Sequence, residues 1–210
     1  MASKILVDEL APQSHATDVT ITTGKKIAGA NTQYKVTGGT SGQILTNDGS
    51  NGLSWSSNVG KILQWVFVYD GAYATGSTTL PFDDTIPQNT EGNEVMTLAI
   101  TPTSATSKLL VSVNVTGASD VQGNWTLALF RDSTADALTA TQVKASNLSP
   151  DQMDHCHLSW VENSTSISAT TFKVRCGSTS AGAWYFNGQN GARFFGGVAN
   201  SGITIMELEV

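Results

Sequence analysis

His155-Cys156-His157 sets two imidazoles two residues apart with a thiol between them. On a strand, side chains alternate, so His155 and His157 project to one side and Cys156 to the other. Imidazole nitrogens suit Fe or Zn, yet two of them fill only part of a coordination shell; the competing reading is a pair of solvated or interfacial histidines. As a catalytic pair they lack company, since the chain has no Gly-x-Ser-x-Gly elbow and no matched acid. Asp83 with Asp84, and Asp132 with Asp136, are the candidate carboxylate pairs. Both sit among turn-formers (Pro81 and Pro87; Ser133 and Thr134), where Asp is favoured because it bonds its own backbone. The segment from Asp132 to Asp136 also lacks the Gly and the distal Glu of an EF-hand loop. These residues predict a protein that is not an enzyme.

The segment Trp184-Tyr185-Phe186-Asn187-Gly188-Gln189-Asn190-Gly191-Ala192-Arg193-Phe194-Phe195 concentrates aromatics beside amides and a guanidinium. On a strand, one of Trp184 and Tyr185 must face outward. Aromatic faces stack on sugars while amides and Arg hydrogen-bond them, which makes Trp184, Tyr185, Asn187, Gln189, Asn190 and Arg193 the candidate receptor-binding set. Against this stands a core role for Trp184, Phe186 and Phe194.

The elements that must position these residues are strands. Ile62–Tyr69 is a near-continuous apolar run, of the length of a strand buried on both faces. Val95–Ile100, Lys108–Thr116, Trp125–Arg131, Ala137–Val143, Met153–Val161, Thr170–Cys176, Ala183–Asn187 and Ile203–Val210 follow, bounded by Gly, Asn, Asp or Pro clusters. In the third of these, Leu109, Val111, Val113 and Val115 share one face and Ser112 and Asn114 the other. No stretch keeps a capped 3.6-residue period, so the expectation is a β-sandwich or barrel. If the polar segment from Glu162 to Ser168 is a turn, Met153–Val161 and Thr170–Cys176 pair as a hairpin. Cys156 then faces Cys176, Leu158 faces Val174 and Trp160 faces Phe172, with His157, Ser159, Lys173 and Arg175 on the opposite face. A one-residue slip would drive charge into the core. Before residue 60 the chain is rich in Gly, Thr, Ser and Asn, with short β-like pieces at Lys4–Val7, Val19–Thr22, Tyr34–Val36 and Ile44–Leu45. Such pieces are too short to build a monomeric core. Residues 1–59 are therefore either a flexible arm or wrapped around copies of themselves, and 60–210 form a separate strand-rich domain.

Composition narrows the function. Hydrophobic residues make up 40% of the 210-residue chain, too many for a disordered one, while charged residues are only 13%. The charged share is about half that of an ordinary soluble domain, so Ser, Thr, Asn and Gln must solvate the surface. A net charge of −6 with scattered Lys and Arg leaves no basic footprint for nucleic acid. No apolar run approaches the roughly 18 residues of a membrane span, and Asp8 and Glu9 interrupt any signal-peptide core. Assembly in a cytoplasm is expected, and two cysteines make no disulfide framework.

Gly42-Gln43-Ile44-Leu45-Thr46, a run of turn-formers, and Leu53-Ser54-Trp55 resemble the segment that precedes the terminal β-domains of bacteriophage tail-fibre proteins. Thr85-Ile86-Pro87-Gln88-Asn89-Thr90-Glu91-Gly92, Leu98-Ala99-Ile100-Thr101-Pro102 through Lys108-Leu109-Leu110, and Ser201-Gly202-Ile203-Thr204-Ile205-Met206-Glu207-Leu208 follow in the same order. From about Gly42 onward the chain resembles small virion fibre proteins of marine and freshwater phages. Lys4–Asp8 and Val19–Gly24 are similar to fibre N-termini.

That resemblance implies an all-β homotrimer in the virion. Its extended, intertwined N-terminal segment binds other tail or baseplate proteins, and its jelly-roll-like β-sandwich head contacts a host-surface glycan. It implies no resident cofactor, save that some trimeric phage fibres hold an axial Fe or Zn with a His-x-His pair, a role that would fall to His155 and His157. The alternatives are a capsid decoration or head-fibre protein, a fibre adaptor, a glycan-hydrolysing tailspike and a cellular lectin. The absence of β-helix repeats opposes the tailspike, and the shaft-like first 59 residues oppose the lectin. Asn114-Val115-Thr116, Asn124-Trp125-Thr126 and Asn163-Ser164-Thr165 match glycosylation sequons, but a phage protein would not meet that machinery.

Overall fold

The structure, a computed structural model, describes residues 39–40, 43–47, 53–57, 61–120, 124–144 and 153–210. The strands expected at Lys4–Val7, Val19–Thr22 and Tyr34–Val36, and with them the intertwined segment, lie outside those residues. The chain divides into two units, Met1–Ser57 and Asn58–Val210. Within the first, β1 (Gln43–Asn47) and β2 (Leu53–Ser57) form an antiparallel hairpin with Leu45 opposite Trp55.

The second unit is an all-β jelly roll. Its strands are β3 (Ile62–Asp70), β4 (Ala74–Gly76), β5 (Asn93–Ile100), β6 (Lys108–Ser119), β7 (Asn124–Arg131), β8 (Thr139–Lys144), β9 (Asp154–Asn163), β10 (Thr170–Ser178), β11 (Trp184–Phe186), β12 (Gly188–Gln189), β13 (Ala192–Arg193) and β14 (Ser201–Leu208). One sheet runs β3-β14-β6-β9; beyond the start of β14, β11 takes up the same edge of β6 and carries β4. The other runs β5-β10-β7-β8. Apart from β7 and β8, which pair directly, successive long strands lie in opposite sheets in the jelly-roll manner, so most neighbours within a sheet are distant in sequence.

Period-two patterning decides which faces meet. Leu109, Val111, Val113 and Val115 of β6 lie wholly buried between the sheets, as their alternation requires. Ile203 and Ile205 of β14 join them, with Leu127 and Leu129 of β7 and Phe172 and Val174 of β10 opposite. Cys156 and Leu158 of β9 point into the same core, and His157 and Ser159 point out, as the parity argument predicts. The hairpin behind that argument does not form: β9 pairs with β6 and β10 with β5 and β7, in opposite sheets. The six residues expected to be cross-strand partners instead meet across the interior. Periodicity fixes the face a residue takes and leaves open which strand lies beside it.

The end of the sandwich where the chain enters at Ile62 is closed by Glu207. Its side chain has no solvent exposure. The carboxylate accepts hydrogen bonds from the Ser107 hydroxyl (2.6 Å), the Gln64 amide (2.6 Å), and the backbone N–H groups of Thr103 (2.9 Å) and Ser104 (3.0 Å). One side chain on β14 thereby gathers β3 and the loop that carries the chain from β5 to β6. Burial opposes ionisation, but the hydrogen bonds from Ser107, Thr103, Gln64 and Ser104 outweigh it and hold the carboxyl at about 2, below its ordinary 4.5.

Two predictions follow from this interior. A folded-state value near 2 makes the Glu207 contribution fully present above about pH 4.5 and lost as pH falls through about 2. Glu207→Gln should cost roughly 3 kcal/mol at neutral pH, with the difference from the natural protein shrinking between pH 4.5 and 2 in urea titrations. Cys156 and Cys176 are both free and buried. Burial pushes the Cys156 thiol up to about 11 and raises Cys176 well above its usual value. Native protein should therefore react slowly with iodoacetamide at both positions and rapidly once unfolded, as read by mass spectrometry; fast native labelling would contradict this core.

Candidate binding surfaces

Strand β3 carries valines inward and aromatics outward. Val66 and Val68 pack against the core, while Trp65, Phe67 and Tyr69 stand 59%, 55% and 59% exposed on the outer face. Their rings form a ladder with centroid separations of 5.7 and 5.6 Å. The apolar run expected to be buried on both faces is covered on only one among the described residues. The register extends the ladder sideways: Trp65 lies opposite Met206, Met206 opposite Leu110, and Leu110 opposite Val161. Below that apolar row come Phe67, Thr204, Ser112 and Ser159, then Tyr69, Gly202, Asn114 and His157. Aromatic residues two apart inside an unbroken apolar run were the signal for this face, and reading the run as doubly buried concealed it.

His155 and His157 stand exposed on the same outer face, at the edge strand β9. Nδ1 of His155 lies 3.2 Å from the Thr116 hydroxyl, and Nδ1 of His157 lies 3.0 Å from the Asn114 side-chain oxygen. Among the described residues, no group of three or more His, Cys, Asp or Glu could hold a metal within one chain. Three of the four paired carboxylates are engaged in loop architecture. Asp83 caps the Thr85 N–H at 2.9 Å, Asp132 accepts from the Thr171 N–H at 2.8 Å, and Asp136 accepts from the Gln88 amide at 2.9 Å.

The candidate receptor segment splits by depth. Trp184 is 2% exposed and belongs to the core, and Asn187 is wholly buried. Both are therefore unavailable to a receptor. Trp184 points inward because it continues the inner face of the sheet beside Ser119 of β6. Asn187, at φ 55°, is a structural clasp. Its amide donates to the carbonyls of Asp70 (2.6 Å) and Ala72 (3.1 Å), and its oxygen accepts from the Ser201 hydroxyl at 2.7 Å. Ser201 in turn accepts from the Thr116 N–H at 3.0 Å. Sequence reasoning weighed Asn187 as a surface amide because nothing local marks an asparagine as buried.

Tyr185 remains partly exposed and stacks on Tyr73 with ring centroids 6.3 Å apart and planes 22° from parallel. Beyond it, β12 and β13 make a minimal hairpin whose tip is Asn190-Gly191, at φ 48° and 80°. Positive φ at both positions is the type I′ geometry that Asn-Gly favours. Gln189 is half-buried, and Asn190 and Arg193 are exposed. Because Asn187 clasps Asp70, this hairpin sits at the end of the head opposite Ile62, where the chain enters.

These features define a jelly-roll β-sandwich with an open aromatic sheet face and a polar hairpin at its far end. Residues 74–210 match the family described as the Pgp3 C-terminal domain, and the chain belongs to that family. No curated protein matches by sequence. Similar solved structures include the Eiger TNF from S. frugiperda, at 13% identity and a TM-score of 0.44 over 70% of this chain and 94% of that one. They also include the C-terminal domain of EclA, a sugar-binding protein, at 16% identity and a TM-score of 0.33 over 55% of this chain and 73% of that one. The T13 viral particle of IBDV matches at 12% identity and a TM-score of 0.33, covering 79% of this chain and 39% of that one.

Proposed function

We propose that this protein is a homotrimeric virion fibre protein whose N-terminal segment binds other tail or baseplate proteins and whose head contacts a host-surface glycan, without covalent chemistry. The observation that carries the reading is the aromatic ladder of Trp65, Phe67 and Tyr69 on a sandwich whose core is already complete. A soluble monomer rarely leaves a contiguous apolar face of this kind open, and further copies of the same chain supply its cover. The β1–β2 hairpin supports the same conclusion, because two strands alone are marginal in water and Ile44 and Leu53 stand exposed on it. The order of fibre-like motifs from Gly42 to the C-terminus supplies the virion context. Host contact is assigned to the hairpin end, where Tyr185, Asn190 and Arg193 reach solvent. Weak sugar sites there gain roughly 10²–10⁴ in avidity when three act together.

Light scattering on the full-length protein should give about three times 22.1 kDa. Trp65→Glu with Phe67→Glu should yield folded monomers, because both side chains are exposed within one chain. A natural protein that stays monomeric at micromolar concentration overturns the trimer and the fibre together. If His155 and His157 meet their copies at a threefold axis, the dialysed trimer carries about one Fe or Zn per three chains by elemental analysis. Tyr185→Ala with Arg193→Ala should weaken attachment to host cells and leave the trimer intact. Particles imaged with a label at the Asn190-Gly191 hairpin should show it at the fibre's free end; a head lying against the capsid would instead assign it to decoration.

A further inference from the structure

The outer face of the second sheet is covered by a strap of chain between β4 and β5. Leu80 donates its N–H to the Ser178 carbonyl at 2.9 Å and packs, fully buried, on Ala128 and Phe130. At the other end, the Ala137 N–H donates to the Pro87 carbonyl at 2.9 Å and the Gln88 amide to Asp136 at 2.9 Å. Between these anchors the strap does not fill the space below it. A recess of about 200 Å³ remains, lined by Pro81, Phe82, Pro87, Thr126 and Gln142 among others. Thr126 and Gln142 are direct cross-strand partners on β7 and β8. The Thr126 hydroxyl and the Gln142 side-chain oxygen are both buried without a hydrogen-bond partner, and Thr126 is 4% exposed.

We infer that this recess is a binding site for a neutral pyranose ring. The unpaired Thr126 hydroxyl both donates and accepts while the unpaired Gln142 oxygen accepts, and neighbouring sugar hydroxyls, which also do both, can pair with each. If the Gln142 amide turns over, a hydroxyl pairs with it equally, because it both donates and accepts. A metal cation would need the strap's carboxylate, but Asp83 is engaged by the N–H and the hydroxyl of Thr85. Phe82, 68% exposed, and the two prolines present apolar surface for the C–H face of a sugar. The volume is below the roughly 300–1,000 Å³ of drug-sized sites, which suits one ring. A neighbouring recess shares Thr85, Pro87 and Ala140 and continues past Ile86 and Leu138, giving a second ring room to follow. The strap's anchors pre-form the site, so little ordering opposes binding.

The inference deepens the glycan-attachment reading and rests on it only for the source of the sugar. Ligand-observed NMR with the full chain and millimolar methyl glycosides of glucose, galactose, mannose, rhamnose and N-acetylglucosamine tests it. At least one glycoside should receive saturation from the protein. Phe82→Ala and Thr126→Val should each weaken that glycoside roughly threefold to tenfold. Thr126→Val keeps the shape and removes an unpaired oxygen, so its melting temperature should hold or rise without sugar. Absence of transfer from every glycoside, or binding that survives both substitutions, overturns the site. Neither result bears on whether the chain is trimeric or where it sits on a particle.

Discussion

A sandwich of two sheets is open at both ends, and closing those ends is the constraint on which the rest of this head depends. Each end is sealed by one wholly buried polar side chain whose bonding capacity is met by several elements at once. Glu207 gathers β3 and the loop between β5 and β6 at the entry end. Asn187 gathers the end of β3, the start of β14 and, through Ser201, β6 at the far end. A buried polar group with every partner in place specifies one arrangement, since losing any partner exposes the cost of desolvation. The apolar interior can accept many packings of similar volume; the two clasps select the one in which the jelly-roll crossings meet.

With the interior closed, the two outer faces are solved differently. The strap carrying Leu80 roofs the second sheet and makes a small core with Ala128, Phe130 and Ala137. The first sheet has no such roof among the described residues, and its edge strand β3 presents aromatics where a solvated face would carry charge. An edge strand with exposed apolar side chains invites association. Few charges oppose it in a chain where only 13% of residues are ionisable at neutral pH. The self-association proposed for this face draws on the same strand that builds the core, because β3 carries apolar residues at both parities.

The roof over the second sheet carries its own tension. It buries Thr126 and Gln142 deeply enough to remove solvent from their oxygens but leaves a recess above them in place of partners. Native proteins rarely leave buried polar atoms unpaired, and where they do, a water or a ligand usually completes the pairing. The clasps at the ends and the recess under the strap are thus opposite cases of one rule. In the clasps the chain satisfies its own buried polar atoms, and in the recess it leaves them for something else.

Local pattern was enough to show that the head folds as strands, nearly where each long strand begins and ends, and which side of β6, β9 and β10 faces inward. These are consequences of a two-residue period acting over five to ten residues, as Leu109 to Val115 shows most directly. Neighbourhood was decided only by the tertiary structure. β9 and β10 follow one another in sequence yet lie in opposite sheets, because adjacent strands with matching parity can meet either side by side or across a core, and periodicity does not distinguish the two. Depth was likewise decided by tertiary packing: Trp184 and Asn187 are interior while Tyr185 and Arg193 are not, although all four sit within ten residues. The recess over Thr126 and Gln142 left no local trace at all, because it is made by a strap some forty residues away folding back over a strand pair. Local pattern records which way a residue points, and only long-range closure settles what it meets there.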